Sequence, residues 1–83
     1  MKITVRYFAS LREVLGAQEQ VVLPGGGTVG ALRDHLLGRS DAHGQALARS
    51  RAVRCALNQR MCCEDEAVSE GAEVAFFPPV TGG

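Results

Sequence analysis

The chain has 83 residues, 46% of them hydrophobic, and its nine Lys and Arg residues balance nine Asp and Glu residues. This length holds a single domain, and this apolar content argues against intrinsic disorder. A net charge of zero argues against a nucleic-acid-binding protein, because such proteins neutralise phosphates with basic residues. No apolar run approaches the roughly 20 residues of a membrane span, and residues 1–6 lack an apolar signal stretch. We therefore expect a cytoplasmic protein that binds neither nucleic acid nor a membrane.

The three cysteines, Cys55, Cys62 and Cys63, are predicted to be reduced thiols. Small secreted proteins stabilised by disulfides usually carry an even number of cysteines, and an adjacent pair would close only a strained ring. The spacing also lacks the paired ligands of a zinc site and the four thiolates of an iron–sulfur cluster. We therefore expect no metal site, with Cys55 in the core and the adjacent pair partly exposed.

The first element is predicted to be a strand over residues 2–8, where apolar and polar residues alternate. An alternation with a period of two indicates a strand with one buried face. Phe8 falls on the opposite face, which it shares with Arg6. The residues predicted to face the core are Ile3, Val5 and Tyr7.

A short helix is predicted over residues 10–15. Ser10 and Glu13 have the spacing of a capping box, in which the two side chains satisfy free amide groups of the first turn. Gly16 can end the helix in a left-handed conformation. The apolar stripe of this helix is Leu11, Val14 and Leu15.

The main helix is predicted to follow a second strand over residues 20–23 and a glycine turn over residues 25–27. Thr28 is a suitable N-cap, because its hydroxyl can accept a hydrogen bond from a free amide of the first turn. Gly38 is suited to end the helix. The residues that recur with helical spacing are Val29, Leu32, Leu36 and Leu37.

The second half of the chain is predicted to consist mainly of strands. One short helix is expected around residues 45–49. Strands are expected over residues 53–57 and 61–62, joined by a turn at residues 58–59. The last strand covers residues 72–77, and its predicted core residues are Val74 and Phe76.

This order of elements predicts an α+β fold, in which one main helix packs across one face of a mixed sheet and short extra helices accompany it. The first and last strands are expected to pair in the middle of the sheet. The sequence contains no internal repeat and no domain linker.

No catalytic or phosphate-binding motif is complete in this sequence. The glycine run at residues 25–27 lacks the Lys-Ser/Thr pair of a P-loop. His35 and His43 have no neighbouring metal ligands and are interpreted as surface residues, and no nucleophile stands beside a His base. We therefore expect no self-contained active site. The basic cluster that we interpret as a solvated face is Arg49, Arg51 and Arg54.

The C-terminus is the most unusual part of the sequence. Pro78 and Pro79 are stiff and extended, whereas Gly82 and Gly83 add flexibility that folding does not need. Residues 80–83 can span about 13–14 Å. Such a tail can enter a narrow tunnel in a partner, because glycine has no Cβ, and its carboxylate is open to attack. The alternative is a frayed terminus without a function.

Three segments of the chain show a family resemblance. They are residues 5–13 (VRYFASLRE), 56–59 (ALNQ) and 71–83 (GAEVAFFPPVTGG). In this order they resemble the small subunit of molybdopterin synthase, a ubiquitin-like sulfur carrier. The ending Phe-Phe-Pro-Pro-Val-x-Gly-Gly is the most specific part. One departure is Ala72, where the family usually has Asp, and it affects local turn geometry more than function.

The resemblance implies a ubiquitin-like β-grasp domain over residues 1–79 and a flexible Gly-Gly tail over residues 80–83. It implies that a ubiquitin-activating-type adenylyltransferase adenylates Gly83 with ATP, and that a sulfur donor protein with a persulfide converts this residue to a thiocarboxylate. The tail would then insert into the large subunit of molybdopterin synthase. The residues implied to insert are Pro79, Val80, Thr81, Gly82 and Gly83.

The resemblance also implies the reaction that the carrier serves. Sulfur from Gly83 would pass to a cyclic pyranopterin phosphate and form the dithiolene of molybdopterin. Two carriers and two large subunits would form a heterotetramer. In it this chain would be the non-catalytic sulfur donor, without a bound cofactor of its own.

The alternation in the last strand predicts a partner interface beside the tail. If Val74 and Phe76 enter the core, Phe77 faces outward like Phe8, and Met61 can join them on that side. Exposed aromatic patches usually mark partner sites. The alternative is that a loop covers one of the two phenylalanines.

Two other functions are compatible with the sequence. A related ubiquitin-like sulfur carrier for thiazole or tRNA thiolation would share the Gly-Gly end. A β-grasp interaction module would have an inert tail. Binding to the large synthase subunit separates the two carriers, and deletion of Gly83 separates both from the module.

Overall fold

A computed structural model describes residues 1–79 of the chain. Within these residues the chain forms seven strands and three helices. The strands are β1 (Lys2–Tyr7), β2 (Gln18–Val22), β3 (Gly27–Thr28), β4 (Arg54–Leu57), β5 (Arg60–Cys62), β6 (Ala67–Val68) and β7 (Glu73–Phe77). The helices are α1 (Ser10–Leu15), α2 (Val29–Leu37) and α3 (Asp41–Ala46).

Five of the strands form one mixed sheet in the order β2-β1-β7-β4-β5. The first and last strands, β1 and β7, are parallel neighbours in its middle, and Val5 is paired with Val74. The other neighbouring strands in this sheet are antiparallel. The predicted α+β arrangement with paired terminal strands is therefore confirmed. β3 and β6 form a separate two-stranded sheet that was not predicted from the sequence.

The core lies between one face of the main sheet and the helices. The three core residues predicted from the alternation in β1 are at most 1% exposed, and the two predicted from β7 are equally buried. They share one cluster with residues of α2. The buried residues that form the centre of this cluster are Ile3, Val5, Tyr7, Val29, Leu32, Leu36, Val74 and Phe76.

Helix α1 spans the predicted residues, but the predicted capping box is wrong. Ala9 occupies the N-cap position with a φ of 54°, and no side chain caps the helix. Ser10 is already the first helical residue, so its hydroxyl is one position too late to act as the cap. Of the predicted apolar stripe, Leu11 is buried, whereas Val14 is 58% exposed.

Helix α2 begins at the predicted N-cap and ends at the predicted glycine. The Oγ1 of Thr28 accepts a hydrogen bond from the amide of Ala31 at 3.1 Å. Gly38 occupies the C-cap position. The preceding turn uses positive φ angles of 72° at Gly25 and 67° at Gly26, which glycine adopts at low cost.

Replacing these two hydroxyl residues should have different effects on stability. Thr28→Ala removes the cap bond and should lower the free energy of unfolding by about 1 kcal/mol. Ser10→Ala removes no cap and should change it by less than about 0.5 kcal/mol. Urea denaturation of both variants checks this, and equal losses would contradict the assignment of the caps.

Two elements begin two or more residues away from the predicted position, whereas the boundaries of the other predicted elements agree to within one residue. The short helix expected around residues 45–49 is α3, which begins earlier because Ser40 caps it by accepting a hydrogen bond from the amide of His43 at 3.1 Å. The second strand begins at Gln18 rather than residue 20, because its pairing with β1 extends to Arg6. The turn at Asn58 and Gln59 is confirmed, with φ angles of 50° and 69°.

The buried cation Arg33 ties α2 to the segment that connects α3 and β4. It is 3% exposed. Its Nε donates to the carbonyl of Leu47 at 2.8 Å, and Nη2 donates to the carbonyls of Ala48 at 2.7 Å and Arg51 at 3.1 Å. Nη1 pairs with Glu64 at 2.7 Å. The guanidinium therefore satisfies an irregular stretch of backbone that has no secondary structure of its own.

A second polar cluster ties β2 to α3 on the helix side of the sheet. The hydroxyl of Tyr7 donates to Glu19 Oε2 at 2.7 Å, and His43 Nε2 lies 2.7 Å from the same oxygen. Burial alone would raise the pKa of Glu19, but the hydrogen bonds from His43 and Tyr7 outweigh it and lower this pKa. The side chain of His43 is only 12% exposed. Its interpretation as a surface histidine is therefore wrong, because α3 places it against Glu19.

Candidate functional site

The main sheet has one face that the core does not cover, which we call the open face. It carries the outward residues of each strand, which alternate with the core residues. The register places Arg6 beside Ala75, Ala75 beside Ala56, and Ala56 beside Met61, in one row across four strands. A second row brings Phe77 beside Arg54. This face is where side chains can meet a partner.

The open face contains a shallow pocket at the end of β7 that leads into the tail. Its volume is about 460 Å³. Ala56 and Ala75 form part of its lining and are each only 8% exposed, although they point away from the core. Their burial follows from the longer side chains that surround them. The apolar residues that line the pocket are Phe8, Ala9, Ala56, Ala75, Phe77 and Pro78.

The structure brings two of the three predicted interface residues together. Phe8 is 39% exposed and Phe77 is half-buried, and both line the open-face pocket. Met61 is 62% exposed and lies on the same face next to Ala56, but it is not part of the pocket lining. The three residues are therefore on one face, with Met61 at its β5 edge.

The base of the tail lies beside this pocket. Pro78 lines the open-face pocket and also a groove of about 410 Å³, whose other lining residues include Leu11 of α1 and Ala46 of α3. Pro79 is half-buried. The predicted insertion residues Val80, Thr81, Gly82 and Gly83 lie outside the described residues.

Arg6 also belongs to this site, although it was not among the predicted interface residues. Its guanidinium carbon lies 5.2 Å from the ring centroid of Phe8. Its Nη1 is 3.9 Å from Glu73 Oε2, at the outer limit of an ion pair. The signal that could have found it was the alternation in β1, which puts Arg6 and Phe8 on the same face.

Cys55 and Cys62 lie on the other side of β4 and β5, away from the open face. Cys55 is buried, and its Sγ is 3.7 Å from Cys62 Sγ. Burial raises the pKa of Cys55 to about 12, with a further increase from its contact with Cys62. Burial also raises the pKa of Cys62. Both are therefore thiols at neutral pH and poor nucleophiles, whereas Cys63 is exposed.

One residue of the predicted basic cluster forms structural ion pairs. Arg49, predicted to be solvated, pairs with Asp34 at 2.7 Å and also with Glu64. Residues 1–79 contain no cluster of three or more His, Cys, Asp or Glu residues that could hold a metal ion. In the same residues, no helix combines the length and apolar character that crossing a membrane requires.

These features define the class of protein. A main helix packed on a five-stranded mixed sheet of order β2-β1-β7-β4-β5, with parallel terminal strands, is the ubiquitin-like β-grasp fold. The sequence matches the model of the ThiS family over residues 5–83, and the chain belongs to this family.

Individual relatives agree with this assignment. The chain is 42% identical to the molybdopterin synthase sulfur carrier subunit of Escherichia coli K12, over 98% of this chain and 99% of that protein. It is 37% identical to the protein of the same name from Haemophilus influenzae, with the same coverage. The crystal structure of SAMP1 from Haloferax volcanii matches the whole of both chains with a TM-score of 0.78 and 32% identity.

Proposed function

We propose that this protein is the sulfur carrier subunit of molybdopterin synthase. The observation that carries the proposal is that the central strand β7 ends beside an exposed aromatic pocket and continues through Pro78 into a sequence that ends in Gly-Gly. The pocket supplies a docking surface for a partner. The tail supplies a carboxylate that can extend about 13–14 Å beyond it. The names of the two bacterial relatives indicate which sulfur acceptor is served.

The proposed chemistry begins at the carboxylate of Gly83. A carboxylate is a poor electrophile, so an adenylyltransferase first couples it to AMP and releases pyrophosphate from ATP. The terminal sulfur of a donor persulfide then attacks the acyl carbon and expels AMP. A second donor thiol reduces the acyl disulfide that results, which leaves a thiocarboxylate on Gly83 and a disulfide on the donor.

The proposed division of labour follows from what this domain offers. The open face provides apolar and aromatic contacts, and the buried thiol of Cys55, on the opposite side of the sheet, is not activated. Acid–base and phosphate-binding groups are therefore assigned to the large synthase subunit, which receives the tail and holds the pterin precursor. We further propose a cytoplasmic heterotetramer of two carriers and two large subunits.

Membership of the ThiS family supports one second candidate. A related carrier could deliver sulfur to another acceptor, such as a thiazole precursor or a tRNA, through the same Gly-Gly end. Measured binding to the large synthase subunit favours the first candidate, and binding to the activating enzyme alone favours the second.

Mass spectrometry of the C-terminal peptide tests the proposal. The protein is incubated with ATP, an activating enzyme and a sulfur donor, and fragment ions must place the sulfur on Gly83. Intact mass is insufficient, because exchange of oxygen for sulfur changes the mass almost as one oxidation of Met or Cys does. An unmodified Gly83, with an activating enzyme that modifies a known carrier, would favour the interaction module with an inert tail.

Phe77→Ala should weaken binding of the large subunit without unfolding the domain. The ring is half-buried on the open face and not in the core, so its loss removes contact area from the interface. We expect a loss of about 2 kcal/mol, or about thirtyfold in Kd. Titration calorimetry checks this.

Val22→Ala is the matched control for that measurement. Val22 is 63% exposed on edge strand β2 and pairs with Lys2, at the end of β1 that is remote from Phe8. It should bind as tightly as the unchanged protein. Equal affinities of the Phe77 and Val22 variants would contradict the assignment of the pocket as the interface.

A further inference from the structure

The open face is electrostatically different from the chain as a whole. The chain has no net charge. On the outward positions of the described main-sheet strands, however, there are three basic residues and one acidic residue, Glu73. The basic residues are Lys2, Arg6 and Arg54. This face is therefore positive, and charge complementarity favours a negative partner surface.

Arg6 is held in place before any partner arrives. Its guanidinium lies over the ring of Phe8, at a distance that allows a cation–π contact. Its Nε is shielded from solvent and has no hydrogen-bond partner among the described residues. The side chain as a whole is nevertheless 40% exposed. The guanidinium of Arg6 is thus partly desolvated at Nε, while the rest of the side chain is accessible at the pocket.

Glu73, the ion-pair partner of Arg6 within the chain, leaves hydrogen-bond donors of this guanidinium available for another carboxylate. Glu73 approaches Nη1 only to 3.9 Å, which is longer than a charge-assisted hydrogen bond. A guanidinium offers five N–H donors and binds carboxylates through two parallel hydrogen bonds. Arg54 stands on the neighbouring row beside Phe77, is exposed, and forms no ion pair within residues 1–79.

We propose that the surface of the large synthase subunit that covers the open-face pocket carries carboxylates, and that Arg6 binds one of them while Arg54 pairs with another. This inference rests on the proposed function and specifies the chemistry of its partner. Fixed orientation and prior desolvation lower the cost of forming the pair at Arg6. Phe8 and Phe77 then supply apolar contact, and the two arginines select an acidic partner and fix its register.

The test is titration of the full-length carrier with the large subunit at two salt concentrations, about 50 mM and about 300 mM NaCl. Arg6→Leu retains apolar contact at this position of the strand and removes the positive charge. It should weaken binding about tenfold at the lower concentration, and the affinity of the variant should depend less on salt. Arg54→Leu should have a smaller effect of the same sign. Arg6→Lys should recover only part of the loss, because an ammonium lacks the planar fork.

Arg39→Leu is the matched control, since it makes the same change in net charge. Arg39 is a partly exposed arginine that pairs with Glu19 on the helix side of the sheet. It should leave binding unchanged, and circular dichroism of all variants verifies their fold. If the unchanged protein binds the large subunit and Arg6→Leu binds it equally tightly or more tightly, the inference is wrong but the proposed function stands. If the unchanged protein does not bind a large subunit that binds a known carrier, the proposed function is wrong, and so is the inference that rests on it.

Discussion

Deletion of Gly83 is expected to abolish sulfur transfer while the domain stays folded. The shortened chain still ends in a glycine carboxylate, that of Gly82, but this group is set back by one residue, about 3.3–3.6 Å. Displacement of a reacting group by about 1 Å can already reduce a rate about 100-fold. We therefore expect a loss of at least about 100-fold in both thiocarboxylate formation and molybdopterin synthesis.

The deletion separates the role of the tail from that of the folded domain. The described core ends with β7, so the thermal midpoint should not change. Binding of the large subunit through the open face should also persist, with at most a modest loss. Gly83→Ala is the companion variant, because it keeps the length and adds only a Cβ to the terminal residue. Sulfur transfer at the original rate by the deleted protein would show that the terminal carboxylate is not the carrier group.

Most of the main sheet could be predicted from the sequence, because its strands have one buried face. Ile3, Val5 and Tyr7 alternate with polar residues, and the structure buries all three. A one-residue shift in register would have exposed them, so the pattern leaves a single solution. Helix α2 was equally predictable, since both its N-cap Thr28 and its C-cap Gly38 are local signals.

The elements that depend on tertiary contacts could not be predicted in the same way. β3 and β6 contain two residues each, too few to show any periodicity. Ala9 is the N-cap of α1 because the backbone there has a positive φ angle. Alanine does not favour such an angle, so the residue type gave no sign of it. The role of Arg33 could not be predicted, because a charged residue in a helix is normally expected to be exposed.

The candidate site was predictable in part, because buried and outward residues alternate along its strands. Alternation alone placed Phe8 and Phe77 on the open face, and the structure adds that they share one pocket. Met61 lies on the predicted side, but its position outside the pocket follows from the pairing of β5 with β4, which alternation does not show. Nor could alternation show that the guanidinium of Arg6 lies over Phe8, which is a property of side-chain geometry.

Arg33 is expected to be the charged residue whose replacement costs the most stability. Its guanidinium donates to three backbone carbonyls and pairs with Glu64, at 3% exposure. Arg33→Met retains an apolar stem of similar length but leaves these acceptors and a partly buried carboxylate without their donor. Breaking a buried pair by removing one partner costs about 3–5 kcal/mol. Small domains have a total stability of only about 0.05–0.15 kcal/mol per residue, so a large fraction of it would be lost.

Arg49→Met is the control that isolates burial from charge. Arg49 also contacts Glu64, and it has the same charge, but its side chain is 46% exposed. Exposed ion pairs contribute about 0–1 kcal/mol, so this variant should lose no more than that. Urea denaturation followed by circular dichroism measures both. With an m value of about 1 kcal/mol/M, the midpoint of Arg33→Met should fall by about 3 M or more. Similar midpoints for the two variants would show that water or backbone rearrangement satisfies the carbonyls, and that Arg33 does not hold the segment before β4 in place.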